Sequence, residues 1–152
     1  MKYAFDTNIF IDGFRSEEAQ AEVFAFLNRA LPFTYLSAVV MQELAAGART
    51  TEAARELRRG IFDPFERRRR VFAPSPTAFV DSGRALAAVA AGEGWQIFEQ
   101  KPSLLNDALI AASCREQGIT LITKDSDFKR LSSFVKGFHY AAPWPTATDV
   151  PR

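Results

Sequence analysis

Residues 103–128 read SLLNDALIAASCREQGITLITKDSDF, and the changes of character within them decide the fold. Ser103 is a helix-capping residue, and the run behind it predicts a helix to about Glu116. Leu105, Leu109 and Ala112 fall on one stripe of that helix, and Asp107 points along a different face. Gly118 closes it. Ile119 to Thr123 is then apolar and β-branched without alternation, as in a strand covered on both faces, and Asp125 follows directly. Helix, glycine, buried strand and acid in this order describe one crossover unit of a parallel sheet.

The same unit recurs outward from this stretch. Lys2 to Phe5 is a short β-prone run that stops at Asp6-Thr7-Asn8, so we expect strand, loop, and then a helix over 16–30, where Ala19, Val23, Phe26, Leu27 and Ala30 form one stripe. Pro32 ends it, and Phe33 to Leu36 predicts a second strand finishing near Ser37. Helix formers occupy 38–48, and a strongly basic helix is expected over 51–70, interrupted or bent near Gly60 and Pro64. Val71 to Ala73 is a third strand, 77–91 an alanine-rich helix, 128–134 a short helix and 137–141 a last strand. The loop holding Pro102 separates the last two long helices. The expectation is one α/β domain over 1–142, three layers deep with a mostly parallel central sheet, followed by a proline-containing tail over 143–152.

Composition narrows the chemistry. Of 152 residues 47% are hydrophobic, enough for a packed core, and no window of about 18 residues is free of charge, so no membrane span is expected. The first residues lack a basic leader and a cleavage site, which predicts a cytoplasmic protein. Cys114 and His139 are each alone, which removes disulfides, cysteine-based zinc sites and most histidine-dependent hydrolysis. Catalysis, if present, runs on carboxylates. The net charge is only +1, yet Arg55, Arg58, Arg59 and Arg67 to Arg70 crowd one stretch, suiting either a solvated helix or a phosphate- or partner-binding surface.

Asp6 and Asp125 each follow a predicted strand, where sites form in open α/β sheets. Glu43 and Asp107 lie on helices otherwise rich in small and apolar residues, VVMQELAA and LLNDALIAA. A carboxylate buried there without a partner takes up a proton or needs a counter-charge, and with one histidine in the chain a divalent cation is the economical one. Oxygen ligands of this kind suit Mg²⁺ or Mn²⁺, which can acidify a water and neutralise a phosphodiester.

These segments together resemble a known family. Tyr3-Ala4-Phe5-Asp6-Thr7-Asn8, Leu36-Ser37 with Gln42-Glu43-Leu44 and Gly47, Asn106-Asp107-Ala108-Leu109-Ile110-Ala111-Ala112, and Leu121-Ile122-Thr123-Lys124-Asp125-Ser126-Asp127-Phe128 are similar, in kind and order, to the motifs of PIN domains, in particular those of VapC toxins. The resemblance implies a three-layer α/β/α fold and metal-dependent endonucleolytic cleavage of RNA. By position it implies Asp6, Glu43 and Asp107 as principal acids, with Asp125 or Asp127 as the fourth. Asp125 is nearer the strand end and is expected to point inward, with Asp127 accessory. Thr7, Asn8, Ser37 and Thr123 match polar positions able to orient carboxylates or water. Lys101, Lys124 and Lys129 are candidate phosphate contacts.

The resemblance further implies a VapB-like antitoxin wrapped over the early helices and a homodimer. Phe24, Phe26, Phe62 and Phe65 supply either that surface or core. Competing readings are a housekeeping RNA-processing nuclease, a PIN-like module that binds RNA or protein without cutting, and an aspartyl phosphatase. The phosphatase is disfavoured because Asn8 stands where its second aspartate is wanted.

Overall fold

In the computed structural model, which describes residues 1–146, five parallel strands form one sheet in the order β3-β2-β1-β4-β5. They are β1 (Lys2–Phe5), β2 (Thr34–Ser37), β3 (Val71–Phe72), β4 (Ile119–Ile122) and β5 (His139–Ala141). Parallel neighbours cannot be joined by tight turns, so helices carry the chain back between strands. α1 (Thr7–Arg15) and α2 (Glu17–Ala30) precede β2, and α3 (Ala38–Gly47), α4 (Thr51–Leu57) and α5 (Asp63–Arg67) precede β3. α6 (Pro76–Glu93), α7 (Ile97–Gln100) and α8 (Leu104–Gln117) lead to β4, and α9 (Asp127–Ser132) to β5. This is the α/β/α arrangement that the alternation predicts.

β1 and β4 lie side by side inside the sheet, with Lys2 level with Ile119 and Phe5 level with Ile122. Helices cover both faces, which is why Tyr3, Ala4, Phe5, Ile119, Leu121 and Ile122 are all buried, with only Thr120 of β4 partly exposed among them. Phe26 of α2 meets Tyr3 and Phe5 edge-on at 5.3 and 5.7 Å, and Trp144 stacks on Phe26 at 5.2 Å. α6 packs along α8 through small residues, Ala78 and Ala85 on one helix and Ala108, Ala111 and Ala112 on the other. Among the described residues no helix is long and apolar enough to cross a membrane.

The structure corrects the sequence reading in several places. Residues 7–15 are helical rather than loop, because Asp6 in extended backbone caps them and Ile9 and Phe10 turn into the core. Ser16 is also extended, ends α1, and caps α2 by accepting from the Ala19 amide at 3.2 Å. The basic helix is widened into a π-type turn over Arg58–Phe62 and stops at Arg67. That turn is the irregularity expected near Gly60 and Pro64. The proline sits in the first turn of α5, where a missing amide hydrogen is tolerated. A short α7 occupies part of the expected loop before α8, and β5 begins at His139. In α8 the expected stripe is displaced: Leu105 is 50% exposed, and Leu104, Ala108 and Ala111 face the core with Asp107 buried beside them. Of the four phenylalanines, Phe26, Phe62 and Phe65 are core, and Phe24 is 56% exposed.

Candidate metal centre

Parallel pairing brings the C-terminal ends of β1 and β4 together, and the Asp6 amide donates to the Ile122 carbonyl at 2.9 Å. Asp6 is buried where β1 gives way to α1. Its Oδ1 accepts from the Thr7 amide at 2.8 Å, and its Oδ2 from the Thr123 hydroxyl at 2.7 Å and Asn8 Nδ2 at 3.1 Å. The Thr123 hydroxyl oxygen in turn accepts from the Asp125 amide at 2.9 Å, and Asp125 Oδ1 from the Asp127 amide at 2.8 Å. A chain of bonds thus runs from β1 through the end of β4 into the loop that carries the last two acids.

Two helices bring the other acids. Ser37 caps α3, its hydroxyl accepting from the Val39 amide at 3.2 Å, and that helix carries Glu43. Thr7 donates to Glu43 Oε1 at 2.9 Å, so α1 and α3 are tied at the site. Asp107 lies in the first turn of α8, 5% exposed, and its Oδ2 is buried with no hydrogen-bond partner among the described residues. One carboxylate oxygen each from Asp107, Asp125 and Asp127 lie within 4.8 Å of one another. Lys101 reaches Asp127 at 3.0 Å, and Lys124 pairs with Asp12 at 2.8 Å.

So many carboxylates in one place hold on to protons. Burial raises Asp6 to about 6 against the hydrogen bonds from Thr123 and Thr7, with Glu43 and Asp125 adding to the rise. Asp107 rises to about 8, chiefly by burial and then by the charges of Asp6, Asp125, Glu43 and Asp127. A buried Asp107 carboxylate with an orphaned oxygen, close to two further carboxylates, is what a hard divalent cation would satisfy, and the residues fit one.

The geometry draws Asp6, Glu43, Asp107, Asp125 and Asp127 into one electrostatic neighbourhood, with the tightest group being Asp107, Asp125 and Asp127. Thr7, Asn8 and Thr123 bond to acids of this neighbourhood, and Ser37 acts on Glu43 only through the helix it caps. Sequence reasoning did not foresee that Glu43 also lines a groove of about 770 Å³, walled by Phe14, Phe24, Leu44, Leu57 and Ile61. The signal was available in Phe10 and Phe14, four residues apart and so on one face of a helix.

A family model described as PIN domain matches residues 3–133. No curated protein matches the chain. Among solved structures, the chain is similar to one in the DNA-bound VapBC complex of Salmonella typhimurium, with TM-score 0.68, 20% identity, and coverage of 93% of this chain and 98% of that one. A chain of FitAB bound to an IR36 DNA fragment gives TM-score 0.67 at 20% identity, covering 95% of this chain and 96% of that one. VapBC-1 of nontypeable Haemophilus influenzae gives 0.64 at 22%, covering 93% and 98%. At these identities the likeness is one of fold.

Proposed function

The chain belongs to the PIN-domain family, and from that premise we propose that it is a Mg²⁺- or Mn²⁺-dependent endoribonuclease acting as the toxin of a VapBC-type pair in the cytoplasm. The observation that carries the catalytic reading is the buried Asp107 carboxylate, which has one oxygen without a hydrogen-bond partner and one within 4.8 Å of oxygens of Asp125 and Asp127. In this reading Asp6, Glu43, Asp107 and Asp125 are the catalytic and metal-binding acids, and Asp127 is an accessory ligand. The chemistry that a bound divalent ion supplies is charge neutralisation at the phosphodiester and acidification of water. Thr123 and Asn8 hold the Asp6 carboxylate in one orientation, and Thr7 does the same for Glu43. Low solvent access at Asp6 and Asp107 strengthens every charge interaction in the site.

The partner reading rests on the groove. Phe14 and Phe24 are 60% and 56% exposed on its walls, and its floor reaches the acid Glu43. An amphipathic helix laid there covers the aromatic surface and stands over the site, which suits a VapB-like antitoxin. The homodimer is carried forward on the resemblance of the sequence to VapC toxins.

Cleavage of a mixed structured and unstructured RNA by the wild type and Asp6→Asn, with Mg²⁺, Mn²⁺ or EDTA, tests this. Cutting that needs metal and disappears in the variant supports the nuclease; a folded wild type that binds RNA and never cuts it supports the binding module instead.

A further inference from the structure

At the end of the sheet opposite the acids, where the strands begin, the charge has the other sign. Lys2 opens β1 and Arg70 precedes β3, and the Tyr35 ring of β2 lies between them, 5.6 Å from the Lys2 ammonium and 5.3 Å from the Arg70 guanidinium. Arg70 donates to the Pro32 carbonyl and Lys2 to the Gln117 carbonyl at 3.3 Å, so both heads are tied to backbone rather than to acids. Arg68 donates to the Pro64 carbonyl at 2.9 Å, and Arg69 stands exposed next to it. Among the described residues none of Lys2, Arg68, Arg69 and Arg70 forms an ion pair, whereas Arg58, Arg67, Arg84, Arg115 and Arg130 each do.

Ordinary helix-end electrostatics accounts for Arg67 and Arg68 at the C-terminus of α5. Arg69 ends the helix: its φ of 53 goes with the paired closing bonds from the Arg69 amide to the Glu66 carbonyl at 3.0 Å and from the Arg70 amide to the Phe65 carbonyl at 2.9 Å, a left-handed position usually filled by glycine. The helix end explains that backbone but not the charge: an exposed arginine side chain without an acidic partner, next to three more cations that also lack one, leaves four positive groups on one edge for an anion outside the chain. Two of the four are also pre-oriented by the Tyr35 ring, so less side-chain freedom is lost when an anion arrives.

We propose that this edge is a second contact for RNA, in which the sugar-phosphate backbone lies across the beginnings of β1, β2 and β3 with phosphates on Lys2, Arg68, Arg69 and Arg70. Three guanidinium forks and one ammonium suit phosphate oxygens. The identity of the polyanion as RNA rests on the nuclease reading; the surface itself does not. β1 has four residues, so the edge stands roughly 13 Å from the acids. An RNA that engages both ends must turn over the side of the sheet, and the edge therefore favours a folded RNA over a short linear one.

The test is the salt dependence of binding to a labelled hairpin RNA and a labelled oligouridylate in EDTA, on an Asp6→Asn background that removes cutting. The further variants are Arg68→Gln with Arg69→Gly, and Arg69→Lys alone. On single-stranded RNA the slope of log K against log salt should fall by about 1.4 in the double variant, at about 0.7 per cation, and stay put in Arg69→Lys. The double variant should melt no lower than its parent, since glycine relaxes the backbone at 69. An unchanged slope, or tighter binding of duplex DNA than of either RNA, overturns the proposal. If the wild type cuts RNA but the slope is unchanged, the edge fails alone; if the slope falls but the wild type never cuts, the edge stands and the nuclease reading fails.

Discussion

The Thr123 hydroxyl donates to Asp6 Oδ2 at 2.7 Å, joining the last residue of one strand's exit to the first residue of another's, 117 positions apart. The same oxygen accepts the Asp125 amide. One side chain therefore sets both the orientation of Asp6 and the course of the loop that carries Asp125 and Asp127. Thr123→Val keeps the shape and removes both bonds. Metal-dependent cleavage should fall about 10- to 100-fold, and stability by on the order of 1–3 kcal/mol, because Asp6 loses a buried charge-assisted bond. Thr123→Ser should retain most of both. Initial cleavage rates and thermal melts of the three proteins read this directly.

Asp107→Asn separates stability from function. Above about pH 8, where Asp107 is ionised, the amide removes one charge from a place where four other carboxylates crowd, and it brings an N–H donor close to Asp125 and Asp127. At pH 9 the metal-free variant should melt higher than the wild type, while cleavage and the upward shift of melting temperature with Mn²⁺ both disappear. A variant that melts lower and still responds to Mn²⁺ would contradict the placement of Asp107 in the metal site.

The pH dependence follows from the two raised acids. Asp6 and Asp107 titrate near 6 and 8 in the folded protein, against 3.8 for an ordinary aspartate. Over the interval between, the folded state holds more protons than the unfolded state, so stability falls as pH rises. In calorimetry without metal the contribution of these groups is greatest below about pH 4 and is lost by about pH 8, each pKa unit being worth about 1.4 kcal/mol. Mn²⁺ competes with those protons. Its stabilising effect should therefore be larger at pH 8 than at pH 6, and a metal shift that shrinks with rising pH would count against the site.

Asp125 and Asp127 should not be equivalent. Lys101 already neutralises Asp127 at 3.0 Å, and among the described residues no cation pairs with Asp125. Asp125→Asn should lower Mn²⁺ affinity and cleavage by more than Asp127→Asn does, and the latter also strands the Lys101 ammonium beside the site. Parallel titrations of the two variants with Mn²⁺, followed by cleavage at saturating metal, rank them. Equal losses, or a larger one at Asp127, would make Asp127 the fourth acid.

The strands and the two long crossovers near the end were legible because buried parallel strands leave a largely apolar run, as in Ile119–Ile122, and because Gly118, left-handed at φ 65, ends α8; Ser103 starts that helix in helical backbone without the side-chain cap its residue type suggests. α1 was not, since Thr7-Asn8 reads as loop until one knows that the Asp6 carboxylate caps it. The acids were found from where they fall relative to strand ends. What the sequence could not convey is which polar neighbours hold them: the Thr7–Glu43 and Thr123–Asp6 bonds join positions 36 and 117 apart, and only the sheet order brings them together. The stripe assigned to α8 failed for a related reason. Its buried face includes an aspartate, and periodicity of apolar residues alone cannot see a face that is partly acidic.

Sheet order also dictates when the acids can meet. β1 sits between β2 and β4, so the first strand synthesised waits for residues 119–122 before its second neighbour exists. A nascent chain that has not yet released Asp125 from the ribosome holds Asp6 and Glu43 with no strand to bring the remaining carboxylates beside them. Through most of its translation the polypeptide therefore lacks the assembled acidic cluster, and long-range pairing of this kind is slow to close.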